Sequence, residues 1–123
     1  MQDSQNKKEL QEILDIIIEA IRNTMGQDIM DINLTKLDTI IARHFVICHA
    51  ESFKQVRSIA EEIEDQLVSQ RKTKPYHKEG MQNSIWILLD YQDIIVHIFQ
   101  HDYRSFYRLE ELWADGVTTK YDS

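Results

Sequence analysis

Two apolar runs, Ile85-Trp86-Ile87-Leu88-Leu89 and Ile94-Ile95-Val96-His97-Ile98-Phe99, are separated only by Asp90-Tyr91-Gln92-Asp93. Runs this short, rich in β-branched and aromatic residues, read as strands. A polar spacer of this length leaves room for a tight turn and little else, so the two runs are predicted to pair as an antiparallel hairpin. Asp90 and Asp93 suit that turn, because aspartate side chains bond nearby backbone amides.

The rest of the chain is read around that hairpin. With Gly 3 and Pro 1, few breaks are punctuated, and periodicity must carry the reading. Leu10, Ile13, Leu14, Ile17, Ile21 and Met25 recur at three and four, which predicts a helix over about Asn6 to Met25. Asn6 and Glu9 would cap it, and Gly26 would stop it. Asp28 to Asn33 reads as a short strand with Ile29 and Ile32 as buried anchors. A loop with a helical turn, Leu34 to Ala42, leads to a buried strand over His44 to His49. Ser52 with Gln55 forms a capping box for a second helix ending near Gln70, its apolar stripe Val56, Ile59, Ala60, Ile63 and Leu67. A short segment, Tyr76 to Gly80, precedes the hairpin, and a helix from Tyr103 to Trp113, capped by Asp102 and stopped by Gly116, follows it. The predicted order is α-β-β-α-β-β-β-α. A helix between His44–His49 and the later strands implies a crossover connection. The expected fold class is therefore α/β, a mixed sheet with flanking helices.

At 123 residues the chain is expected to be one domain, residues 1–123, with a core of about 6–115 and a loose tail over 116–123. A chain of this size buries enough surface to need neither disulfide nor metal. Cys48 lies within Phe45-Val46-Ile47-Cys48 and reads as a small buried hydrophobe, which fits a reducing cytoplasm. The polar start, Met1 to Glu9, has no signal-peptide character, and no apolar run is long enough to span a membrane. The net charge of −7 disfavours nucleic-acid backbones and favours a basic protein partner.

No constellation for catalysis stands out. His97 and His101 are four apart, but the His-Glu-x-x-His pattern is absent and a single cysteine offers no thiolate pair. His97 reads as a structural histidine within an apolar strand. Asp28 with Asp31, or Asp90 with Asp93, could hold magnesium, yet no glycine-rich phosphate cradle accompanies them. Cys48 and His49 are neighbours on a strand and point to opposite faces. No metal and no cofactor is expected, and the chain is read as a binding protein and not an enzyme. The aromatic residues carry the functional signal. Trp86, Tyr91, Tyr103, Phe106, Tyr107 and Trp113 crowd the last third, with Arg104 and Glu110 among them. Such residues dominate cores, and they are also the commonest interface hot spots. Phe99 and Phe106 are expected inside, and some of Trp86, Tyr91, Tyr107 and Trp113 outside.

The stretch Ser84 to Phe99, continued by Arg104-Ser105-Phe106-Tyr107-Arg108-Leu109-Glu110-Glu111-Leu112-Trp113 and Asp115, resembles the ribosomal silencing factor family, also called Iojap-like. Gln27 to Ile32, Phe45 to Cys48 and Ile59-Ala60-Glu61 resemble the family's front half, so the likeness runs from about Leu10 to Asp115. Two departures stand out. Gln92 replaces a family glycine, at a cost of about 1 kcal/mol if the position needs positive φ, and Arg43-His44 replaces an aspartate and an aromatic. The resemblance implies a nucleotidyltransferase-like fold without catalysis. It also implies a partner, ribosomal protein L-fourteen of the large ribosomal subunit, where a bound factor would block the small subunit and repress translation under nutrient limitation. The expected partner-binding patch is Trp86, Leu88, Tyr91, His97, Tyr107, Glu110 and Trp113. The rival readings are a magnesium-dependent nucleotidyltransferase-like enzyme and a homodimer whose aromatics pair with themselves.

Overall fold

The computed structural model describes residues 2–37 and 41–121. In chain order the elements are α1 (Gln2–Asn23), β1 (Gln27–Asn33), β2 (His44–Ala50), α2 (Phe53–Arg71), β3 (His77–Glu79), β4 (Trp86–Asp90), β5 (Ile94–Gln100), α3 (His101–Tyr107), α4 (Leu109–Leu112) and β6 (Val117–Tyr121). The strands form a six-stranded mixed sheet in the order β3-β4-β5-β2-β1-β6. β2 and β5 are parallel, with His44 opposite Ile94 and Ala50 opposite Gln100, while the other pairs are antiparallel. The predicted hairpin is β4–β5, registered Trp86 to Phe99 and Leu88 to His97.

Alternation along the strands divides the core in two. Val46, Cys48, Ile87, Leu89, Val96 and Ile98 face α1 and α2, and meet Leu14, Ile17, Ile21, Ile59 and Ile63 there. Phe45, Ile47, Ile95 and Phe99 point to the opposite face with Ile32 and Leu109. β2 and β5 are buried at every position because both faces are covered. The same two-sidedness explains the imperfect period of β1. Ile29 and Ile32 lie in different clusters, and both are buried. Ile17, Ile21, Val46, Ile59, Ile63, Val96 and Ile98, on the predicted stripes and strands, are all buried, and Ile13 is half-buried.

The ends of elements depart from expectation for local reasons. α1 begins at Gln2, so Asn6 and Glu9 lie inside it rather than at its cap. Its left-handed closing residue is Met25, φ 62, whose side chain points outward. Gly26 serves packing instead: a Cβ there would sit 2.3 Å from Ile21 Cγ2. Ser52 Oγ accepts from the Gln55 amide at 3.1 Å as predicted. The Gln55 amide group, however, donates to the carbonyls of Thr24 and Met25 and ties α2 to the end of α1. Gln92 adopts φ 73, and Asp90 Oδ1 holds its amide at 2.7 Å, so the hairpin turn keeps a left-handed residue without glycine. The predicted loop from Leu34 to Ala42 opens with a Leu37-to-Leu34 turn, and its residues 38–40 lie outside the described residues.

Two larger corrections concern the C-terminal third. The single helix predicted from Tyr103 to Trp113 starts at His101 and is split at Arg108, which sits at φ 50. Its cap is the Gln100 side chain, accepting from the Asp102 amide at 3.0 Å, and not Asp102. The predicted loose tail is in fact β6, paired along β1 from Val117–Asn33 to Tyr121–Ile29. The run Val117-Thr118-Thr119-Lys120-Tyr121 has β propensity but mostly exposed side chains, so no hydrophobic pattern announces it. It covers the otherwise open edge of β1.

Candidate functional site

The face of the sheet opposite α1 and α2 is covered only in part. α3 and α4 cross it and leave an aromatic surface built outward from the strands. Phe45 and Phe99 form its floor. Trp86 stacks on Phe99 with centroids 4.9 Å apart, and Tyr107 lies against Trp86 at 4.8 Å. Phe45 meets His97 edge-on at 4.9 Å and Trp113 at 5.4 Å. These contacts run without a gap from Tyr107 through Trp86, His97 and Phe45 to Trp113. Toward solvent the surface carries Tyr107, 46% exposed, and Phe106, 76%, which meets Tyr107 edge-on at 5.2 Å; Leu112, 74% exposed, precedes Trp113 in the chain. Phe106 and Leu112 are thus left largely open to solvent.

His97 sits at the centre of this face. The Trp86 indole Nε1–H donates to His97 Nδ1 at 3.1 Å, which places the imidazole proton on Nε2. That Nε2 is buried and has no hydrogen-bond partner. The predicted structural histidine is therefore structural on one side only. Burial lowers its pKa from the ordinary 6.5 to about 4. The unfolded chain takes up a proton as pH falls through about 6.5, whereas the native protein resists until about 4. Stability contributed by neutral His97 is thus complete above 6.5 and lost between 6.5 and 4. Between pH 7 and pH 5 this group is expected to cost about 2 kcal/mol. Urea unfolding at both pH values should show that loss, and His97→Gln should remove most of it. An unchanged pH slope in the variant would contradict the assignment.

The expected patch is only partly assembled. Trp86, Leu88, Tyr107 and Trp113 share the aromatic face, with His97 beneath them. Tyr91 does not join them. It is buried in the other cluster, under the helices, because the odd positions of β4 point there and the turn continues that direction. Its hydroxyl lacks a partner, and burial, with Glu64 nearby, raises its pKa. Glu110 is held inward by Arg104, whose Nε donates to Glu110 Oε1 at 3.1 Å. Phe106, expected inside, is exposed, because it stands two positions beyond buried Arg104 in α3, on the opposite side of that helix. Phe106 and Leu112 are the surface residues that periodicity misses, since a broken helix does not keep one stripe.

The sequence also leaves Arg104 unassigned. It is 7% exposed and ties three elements together. Its Nη1 donates to the Asp28 carbonyl at 2.6 Å and to His49 Nδ1 at 3.0 Å, besides the bond from Nε to Glu110. An arginine only donates, so His49 Nδ1 accepts and the ring is neutral. Burial and the Arg104 charge lower the His49 pKa accordingly. The Asp28 carbonyl belongs to a bulged residue at φ 48, which Arg104 steadies. Asp28 and Asp31 are therefore no metal pair. Asp28 is exposed, while Asp31 accepts from buried His44 at 2.8 Å on the other face. Among the described residues, no group of three metal-ligating side chains converges. Cys48 is fully buried, and burial raises its thiol pKa to about 12, so it is no nucleophile.

Residues 7–123 match the family model described as ribosomal silencing factor during starvation. A ribosomal silencing factor RsfS of Bacillus subtilis is 36% identical over 110 residues, covering 89% of this chain and 92% of that protein. One from Halalkalibacterium halodurans is 33% identical with the same coverage. A crystal structure of a Chromobacterium violaceum protein superposes with a TM-score of 0.80 at 29% identity, covering 85% of each chain.

Proposed function

From the premise that this chain belongs to the ribosomal silencing factor family, we propose that it binds the large ribosomal subunit through a basic ribosomal protein, L-fourteen, and blocks joining of the small subunit. The observation that carries this reading is the half-covered aromatic face of Trp86, Tyr107 and Trp113, extended to solvent by Phe106 and Leu112. Aromatic anchors over a packed floor are the anatomy of a hot spot. The −7 net charge steers the protein to a basic partner and away from bare RNA. The factor acts in the cytoplasm by occupying a surface, as a regulator and not an enzyme. No helix among the described residues is long and apolar enough to cross a membrane.

The test is sedimentation of the protein with separated large and small subunits. It should travel with the large subunit alone and reduce joined ribosomes when the small subunit is added. Phe106→Ala with Leu112→Ala, both at exposed positions, should keep the melting temperature and weaken binding by about tenfold or more. Undiminished binding by a folded double variant would remove this face from the interface.

A further inference from the structure

A cleft of about 520 Å³ opens at the carboxyl ends of β2 and β5, beside the start of β1 and the end of β6. It is separate from the aromatic surface, and the reading above does not use it. Its size is that of a metabolite site, and crevices at the carboxyl ends of parallel strands are where open α/β sheets hold ligands. We infer that this cleft binds a small hydroxylated oxyanion, a phosphate ester or a hydroxycarboxylate, on Arg104.

The guanidinium is the reason. Arg104 is more than nine-tenths buried and lines the cleft. Its Nε and Nη1 are fully engaged with Glu110, Asp28 and His49, so the group is locked in place. Its Nη2 carries no hydrogen bond to any described residue. A fixed guanidinium with a spare edge is a pre-organised oxyanion receptor. Lys120 and His101 also line the cleft, and His101 Nδ1 lies 3.3 Å from Asp102 Oδ1. The His101 ring packs edge-on against His49 at 5.0 Å, giving a flat flank for an organic body. Two carboxylates also line the cleft. Asp28 has its side chain 80% exposed, and Glu110 Oε1 is occupied by Arg104. Glu110 Oε2 is buried without a donor, and a ligand hydroxyl would supply one after a small adjustment. An oxyanion without a hydroxyl would leave that oxygen unmet, and so a hydroxyl on or beside the oxyanion is part of the inference.

Titration of the full chain, free of ribosomes, with adenosine 5′-monophosphate, malate and inorganic phosphate tests this by amide chemical-shift changes. Adenosine monophosphate or malate should saturate with a Kd of about 1 mM or tighter, moving the amides of His49, His101 and Arg104. Saturation by the nucleotide alone identifies a phosphate ester, and by malate alone a hydroxycarboxylate. Lys120→Ala, on an exposed strand residue, should keep the melting temperature and weaken binding about tenfold. His101→Ala should weaken it as well, and Arg104→Lys, if folded, should abolish it. Failure of both organic probes to bind would overturn the inference. So would shifts confined to other residues, or equal affinity in Lys120→Ala and His101→Ala.

Discussion

Arg104→Ala is expected to destabilise the protein by about 3–5 kcal/mol, the range for breaking a buried ion pair by removing one partner. The size follows from what the guanidinium leaves behind. Glu110, with one oxygen already lacking a donor, would lose its only hydrogen bond among the described residues. His49 Nδ1 and the Asp28 carbonyl would each lose a donor, at a site where buried polar groups are costly to leave unpaired. Asp28 would also keep its φ of 48 without the bond that steadies it. Urea unfolding at pH 7 measures the loss. Arg104→Lys should recover part of it, because an ammonium replaces the charge but not the fork. A cost below about 1 kcal/mol for the alanine variant would mean that these bonds contribute little net stability. Glu110→Lys, which from the sequence alone would have been a change at a partner-facing charge, becomes a test of the same network. It places a cation beside a buried arginine, and instability rather than altered association rate is the expected readout.

Trp86→Ala is expected to lower stability by about 3–5 kcal/mol and, in whatever fraction remains folded, to weaken large-subunit binding by 2 kcal/mol or more, roughly thirtyfold. Trp86 belongs to both accounts at once. Its ring is stacked on Phe99 and its N–H is spent on His97, which are core roles. Its outer side lies against half-exposed Tyr107, on the surface proposed to meet the ribosome. Removing it opens a cavity over Phe99 and strips the His97 ring of its one hydrogen bond among the described residues. Melting temperature and subunit binding must therefore be read on the same preparation. Trp86→Phe separates the two roles. It retains the stack, loses the bond to His97, and should fold with a smaller loss. If Trp86→Phe and Tyr107→Ala both fold and bind the large subunit normally, the aromatic face is not the interface.

Local pattern alone determined the elements in which one residue's neighbours dictate its state. The stripes of α1 and α2, the β4–β5 hairpin, the buried run of β2 and the Ser52 cap all follow from periodicities of about 3.6 and 2, or from one side-chain bond. The family was legible too, because its back-half motif is long and continuous in sequence. The choice between positions that share composition but not surroundings belonged to tertiary structure. Tyr91 and Tyr107 are both tyrosines in an aromatic-rich segment, yet one lies under the helices and the other at the surface. Sheet parity and the packing of α3 on Trp86 and Phe99 decide that, and neither is written in local hydrophobicity. β6 escaped because an edge strand with exposed side chains is defined by its partner's open hydrogen bonds and not by its own pattern. Arg104 escaped because a buried charge is stable only where distant groups meet it. Its partners Asp28, His49 and Glu110 come from three separate stretches of chain that the fold alone brings within 3.1 Å.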